Sequence, residues 1–269
     1  MNMKEFYLDD PQEQPLDHFV ADGGYCGILQ SVACVGASLD SGEMEVFDEK
    51  GTRYCIDKYE YSWLSYFGRV TGNLVRHFTR GGMSTKEYVE EYADWHGLWD
   101  RKLACNAYVI TLSGNDIALM LKGMLEFGSM EDIDFQDWRN NKKTFCGYYA
   151  TILQRLREIS PKCRLFLALS FQKIPPERLP YLQKMQEFLP QLAQKFQFAY
   201  VMDLIKNGPV VDEAFEKKFY MNGHMTPAGY LLKGRLFTSY IDYIIRHNLD
   251  DFTQIAMLGD DLHDAKYVW

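Results

Sequence analysis

The 269 residues carry 29 Lys and Arg against 37 Asp and Glu, a formal net charge of −8, and 47% of them are hydrophobic. No Pro/Gly/Ser-rich linker, repeat or low-complexity block divides the chain, so a single domain over residues 1–269 is expected, with its core at about 27–249. The acidic balance and the lack of a basic cluster on any predicted helix argue against nucleic acid, and no segment approaches the roughly 20 apolar residues that span a bilayer.

Residues 1–17 are polar and acidic and are expected to form an N-terminal extension. They lack the basic start and apolar stretch of a signal peptide, so a cytoplasmic location is expected unless a leader has been removed. Apolar runs at 31–36, 72–78, 107–112, 164–170 and 197–203 are nearly continuous, as in strands covered on both faces. Helical patterns fall at 59–70, 85–99, 147–159, 180–196 and 227–247. This alternation predicts an α/β fold with a mostly parallel five-stranded sheet between helices. A hairpin insertion is expected near 44–56, turning at Glu49-Lys50-Gly51, and residues from Phe252 onward read as an extra strand or packing arm. The cysteines at 26, 34, 55, 105, 146 and 163 show no C-x-x-C pair and no metal-ligand spacing. They are expected to be reduced and structural, with no metal and no cofactor.

Ligands of open parallel sheets bind beyond the carboxyl ends of the strands, and four polar segments lie there. Gly36-Ala37-Ser38-Leu39 ends the first run, where a glycine turn can expose a serine hydroxyl; an ordinary turn with a capping serine has the same pattern. Gly81-Gly82-Met83-Ser84 precedes a helix start with capping-box spacing to Glu87, and its glycines leave N–H groups bare for an oxyanion, or merely form a flexible loop. Ser113-Gly114-Asn115-Asp116 follows the third run: Asn115 is a neutral donor suited to developing charge or a plain turn residue, and Asp116 is expected to cap a helix beginning at Ile117. Gly223-His224-Met225-Thr226 leads into the last long helix, with Thr226 as N-cap and Pro227 at N1, placing His224 as a base or as a structural histidine.

In this order the four segments resemble the Ser, Gly, Asn and His blocks of the SGNH, or GDSL-type, hydrolases, over roughly residues 30–250. The resemblance implies a flavodoxin-like three-layer α/β/α sandwich and ester hydrolysis through an acyl-serine intermediate. Ser38 is then the nucleophile and His224 the base, with the oxyanion hole formed by Gly82, Asn115 and the Ser38 N–H. Ala37 stands where the family has the aspartate of Gly-Asp-Ser-Leu, and Ser113 where its third block has glycine. Met221 stands where an aspartate three residues before the histidine usually orients the ring. The expected outcome is a Ser38–His224 dyad, held by a backbone carbonyl near Met221 or Asn222 or by a carboxylate from elsewhere. The expected substrate is a small-molecule ester, a short-chain acyl (acetyl) ester of a carbohydrate. A non-catalytic glycan- or protein-binding module and an acyltransferase are the alternatives. Oligomeric state cannot be read from the sequence.

Overall fold

The computed structural model describes residues 10–253 and Ile255. The apolar runs fold into β1 (Ser31–Gly36), β4 (Leu74–Thr79), β5 (Ala107–Ile110), β6 (Arg164–Leu169) and β7 (Ala199–Asp203). They form one parallel sheet in the order β4-β1-β5-β6-β7. The expected insertion is an antiparallel hairpin outside this sheet, β2 (Glu43–Phe47) and β3 (Arg53–Asp57). A two-residue pair, β8 (Tyr220–Met221) with β9 (His224–Met225), precedes the last long helix.

Side chains alternate across a strand, so each buried run feeds two cores. Ala33, Val35, Tyr108, Ile110, Leu165 and Leu167 enter one core. There they meet helices Phe145–Ile159 and Leu179–Ala193, labelled α6 and α7 below. Val32, Cys34, Ala107, Val109, Phe166 and Ala168 enter the other, against helices Trp63–Thr71 (α2) and Pro227–His247 (α10). This is the predicted three-layer sandwich, and it accounts for the continuous rather than alternating hydrophobicity of the runs. The shorter helices are α1 (Ser38–Ser41), α3 (Thr85–Glu87), α4 (Ala93–Trp95), α5 (Gly114–Leu121), α8 (Leu204–Asn207), α9 (Glu213–Phe219) and α11 (Leu249–Phe252).

Both expected caps are in place: Ser84 Oγ accepts the Glu87 N–H at 3.2 Å and Thr226 Oγ1 accepts the Gly229 N–H at 3.2 Å. Glu87 does not return to Ser84 as a capping box would, because its carboxylate is taken by Arg80. Between α3 and α4 the chain widens to a π-helical turn over Tyr88–Tyr92, and α4 stops short of residue 99. The expected extension is not free of the core. Glu13 is buried, and Arg246 of α10 donates to both its oxygens at 2.7 and 2.6 Å. Of the expected C-terminal arm, α11 buries Phe252, whose ring stacks on Phe166 and Tyr200; residue 254 and those from 256 onward lie outside the described residues.

Candidate active site

The chain runs from β1 to its neighbour β4 on one side and then crosses to β5 on the other, a topological switch that opens a crevice beyond the strand ends. Pairing of Gly36 with Thr79 and of Val35 with Ile110 sets the ends of β4, β1 and β5 side by side. The first three polar segments therefore converge, although more than 70 residues separate Ser38 from Asn115.

Ser38 is the first residue of α1, directly beyond β1. Asp40 sets this turn: Oδ2 accepts from the Ala37 N–H at 3.1 Å and the Thr111 hydroxyl at 2.6 Å. Its Oδ1 accepts from Trp63 Nε1 at 2.9 Å and Lys233 Nζ at 2.8 Å, and Lys233 also reaches the Leu39 carbonyl at 3.0 Å. Lys233 is fully buried on α10. The ion pair thus joins the Ser38 turn to the helix that follows His224. A β-carbon at Gly36 would lie 2.5 Å from both Asp40 Oδ2 and Thr111 Oγ1, so this close approach needs a glycine.

The second and third segments are clamped together. Asn115 Nδ2 donates to the Met83 carbonyl at 2.8 Å. Asp116 Oδ1 accepts from both the N–H and the hydroxyl of Thr85, at 2.9 and 2.6 Å. Asp116 is therefore not the N-cap of a helix at Ile117, because α5 already begins at Gly114 and Ser113 occupies the cap position. Burial raises the Asp116 carboxyl to about 7 despite the two bonds from Thr85, and its Oδ2 is buried without a partner. Gly82 has φ +77, a left-handed conformation that favours glycine. Among the described residues the N–H groups of Ser38 and Gly82 donate no hydrogen bond, and the Met83 contact uses only one of the two Asn115 amide protons.

A cavity of about 200 Å³ opens over this point, lined in part by Ser38, Asn115, Ser170, Gln172, Arg178 and Gly223. The Ser38 hydroxyl makes no hydrogen bond among the described residues. Ser170 Oγ is buried with no partner, and the Gln172 and Arg178 side chains make no hydrogen bond or ion pair there. The structure thus brings Ser38 and Asn115 to one polar cavity. Gly82 stands beside it through the Asn115–Met83 contact, and the His224 segment reaches it through Gly223.

The His224 ring itself faces the hairpin. Nε2 lies 3.2 Å from Glu43 Oε1, and Nδ1 lies 3.7 Å from Glu45 Oε1 with no hydrogen-bond partner. In this conformation no hydrogen bond joins His224 to Ser38, and the expected dyad contact is not made. Glu45 is fully buried; burial pushes its carboxyl up, but the Asn222 amide, at 2.5 Å, and Arg53 more than offset this and hold it below its ordinary range. The carboxylates nearest the His224 ring are those of β2, and among the described residues no backbone carbonyl accepts from it. Glu43 also lies so close to Gly81 that a side chain there would displace it. Glu43 and Glu45 are two apart on a strand and so share a face; that alternation was the available signal for a paired-carboxylate surface.

Tyr230, near the start of α10, ties that helix to β2 and to the Ser38 turn. The Tyr230 hydroxyl donates to the Glu43 carbonyl at 2.5 Å and approaches the Ser38 carbonyl at 3.4 Å.

No family model matches the chain, and no curated protein sequence matches it. Solved structures do. A family two carbohydrate esterase from Clostridium thermocellum in complex with cellohexaose superposes with a TM-score of 0.55 at 13% identity, over 82% of this chain and 65% of that one. The chain thus spans just under two thirds of that esterase. A GDSL-like lipase from Bacteroides ovatus superposes at 0.52 with 12% identity, over 81% of this chain and 98% of that one. A carbohydrate esterase described as having divergent catalytic and non-catalytic binding functions in its active site gives 0.51 and 12%, over 79% and 68%. At such identities the likeness establishes the fold, and the fold is that of the SGNH/GDSL-type hydrolases.

Proposed function

We propose that the protein is a serine ester hydrolase in which Ser38 attacks the ester carbonyl. The observation that carries this is the free Ser38 hydroxyl at the switch point of the sheet, facing a polar cavity beside unused N–H donors. His224 takes the proton from Ser38 and returns it to the leaving alcohol, and water then cleaves the acyl-serine by the same route. The Ser38 and Gly82 N–H groups and the second Asn115 amide proton hold the oxyanion. Base action requires the ring to leave Glu43, while Glu45 behind Nδ1 supplies the orienting carboxylate. The neutral imidazole then presents an unprotonated Nε2 to Ser38.

The cavity favours a short acyl group: about 200 Å³ is below the roughly 300–1,000 Å³ of sites for drug-sized ligands. Unpartnered Ser170, Gln172 and Arg178 suit an alcohol rich in hydroxyls better than a lipid. An acetyl or similar ester of a carbohydrate is therefore the substrate class, in keeping with the esterase neighbours. A panel of esters graded by acyl length tests it: kcat/KM is expected to fall steeply beyond about four carbons, and best turnover of long chains would overturn the assignment.

One observation favours a second reading, a binding module without turnover: Nε2 lies against Glu43 and makes no hydrogen bond to Ser38. That reading predicts glycan binding that is unchanged in Ser38→Ala, with no ester cleavage by the wild type.

A further inference from the structure

The hairpin face that meets His224 carries a third group of note. Glu45 and Cys55 are directly paired across β2 and β3, so Cys55 projects from the same face as Glu43 and Glu45. Cys55 is the exposed cysteine; the other five are buried. One donor atom each from Glu43, Cys55 and His224 lies within 4.8 Å of the other two.

We infer that Glu43, Cys55 and His224 bind a zinc-class divalent ion, with Glu45 as the carboxylate that orients the imidazole from behind. A carboxylate, a thiolate and an imidazole together select a borderline-soft ion rather than calcium or magnesium, which take oxygen donors. Tetrahedral zinc with bonds of about 2.0–2.3 Å spaces its donors roughly 3.2–3.6 Å apart. The donors here need to close by only about 1 Å, within reach of small side-chain rotations.

The imidazole is already presented for this. Nε2 lies 3.2 Å from Glu43 Oε1, while Nδ1 lies 3.7 Å from the buried Glu45 Oε1 and has no hydrogen-bond partner. A metal-bound histidine commonly turns its second nitrogen to such a carboxylate. Arg53 and Asn222 hold Glu45 in place, so its charge is balanced before an ion arrives. The two charges of the ion then match Glu43 and the Cys55 thiolate. Binding releases the thiol proton, and any proton on Nε2, to solvent. Three protein donors leave a fourth position open.

A consequence follows for the proposed reaction, and it alone rests on the hydrolase reading. An ion on Nε2 occupies the lone pair that must accept the Ser38 proton, so the metal-loaded form is inactive and removal of the metal releases the base.

The test uses the full chain, stripped with a chelator and titrated with Co²⁺ and then Zn²⁺. One equivalent of Co²⁺ is expected to give thiolate-to-metal charge transfer together with tetrahedral ligand-field bands, and Zn²⁺ to displace it. Cys55→Ala is expected to lose the charge-transfer band and bind Zn²⁺ at least 100-fold more weakly while keeping the wild-type circular dichroism. Glu45→Gln is expected to weaken binding by about 10–100-fold. Absence of the band in a folded wild type, or Zn²⁺ affinity untouched by Cys55→Ala, overturns the site. Ester turnover by stripped protein that stoichiometric Zn²⁺ abolishes in the wild type but not in Cys55→Ala supports the regulatory consequence; turnover indifferent to Zn²⁺ overturns it. The band without any ester turnover upholds the site and counts against the hydrolase reading instead.

Discussion

Asp116→Asn is a perturbation whose effect can be worked out with its sign. The Asp116 carboxyl is fully buried and burial raises it from 3.8 to about 7. Between those values the folded protein keeps a proton that the unfolded chain has released. Fewer protons are then bound in the unfolded state, so stability falls as pH rises from about 4 to 7 and levels off above. At about 1.4 kcal/mol per pH unit, the loss between pH 5 and pH 8 is roughly 2–3 kcal/mol. Asparagine does not titrate, and its oxygen can still accept both bonds from Thr85. Wild type and Asp116→Asn are thus expected to diverge in favour of the variant as pH rises. For a domain of this size the change in their melting-temperature difference is roughly 5–10 °C between pH 5 and pH 8. Paired thermal melts across that range measure it, and the comparison cancels groups that titrate in both proteins. A difference constant with pH would refute a raised Asp116.

Two further substitutions separate stability from chemistry. Lys233→Met leaves Asp40 buried without its cation beneath the Ser38 turn, and is expected to cost about 3–5 kcal/mol in urea unfolding. Asn115→Ala removes one of the proposed oxyanion donors together with the bond to Met83; kcat on a short-chain ester is expected to drop by about 10²–10³, while stability falls by only about 1 kcal/mol.

The fold was largely legible because its cause is local and periodic. Runs such as Ala107 to Ile110 are apolar on both faces, which only a sheet covered on both sides explains. The Ser84 and Thr226 caps were likewise visible, since a cap is a contact across three residues. The candidate site was legible in its parts: Ser38 and Asn115 lie at strand ends, and strand order alone carries them together.

What sequence could not show depends on long-range placement. Glu43 and Glu45 lie about 180 residues from His224, and alternation on β2 says that they share a face but not what packs on it. Asp116 follows a strand and precedes a helix, the position of a cap; only the nearness of Thr85 turns it into a clamp. Glu13 reads as part of a solvated acidic segment until Arg246 is seen across from it. The Glu43, Cys55 and His224 donors come from three strands and show no ligand spacing. In each case a polar residue was recognised by type, and its partner was set by tertiary packing.

The central claim is that Ser38 is an activated nucleophile. A fluorophosphonate probe applied to the chelator-stripped protein measures this most directly, with Ser38→Ala as control and labelling quantified by intact mass. One equivalent of covalent adduct on the wild type, localised to Ser38 and absent from Ser38→Ala and much slowed in His224→Ala, is the expected result. A folded wild type that takes up no probe, or takes it up equally after Ser38→Ala, would contradict it.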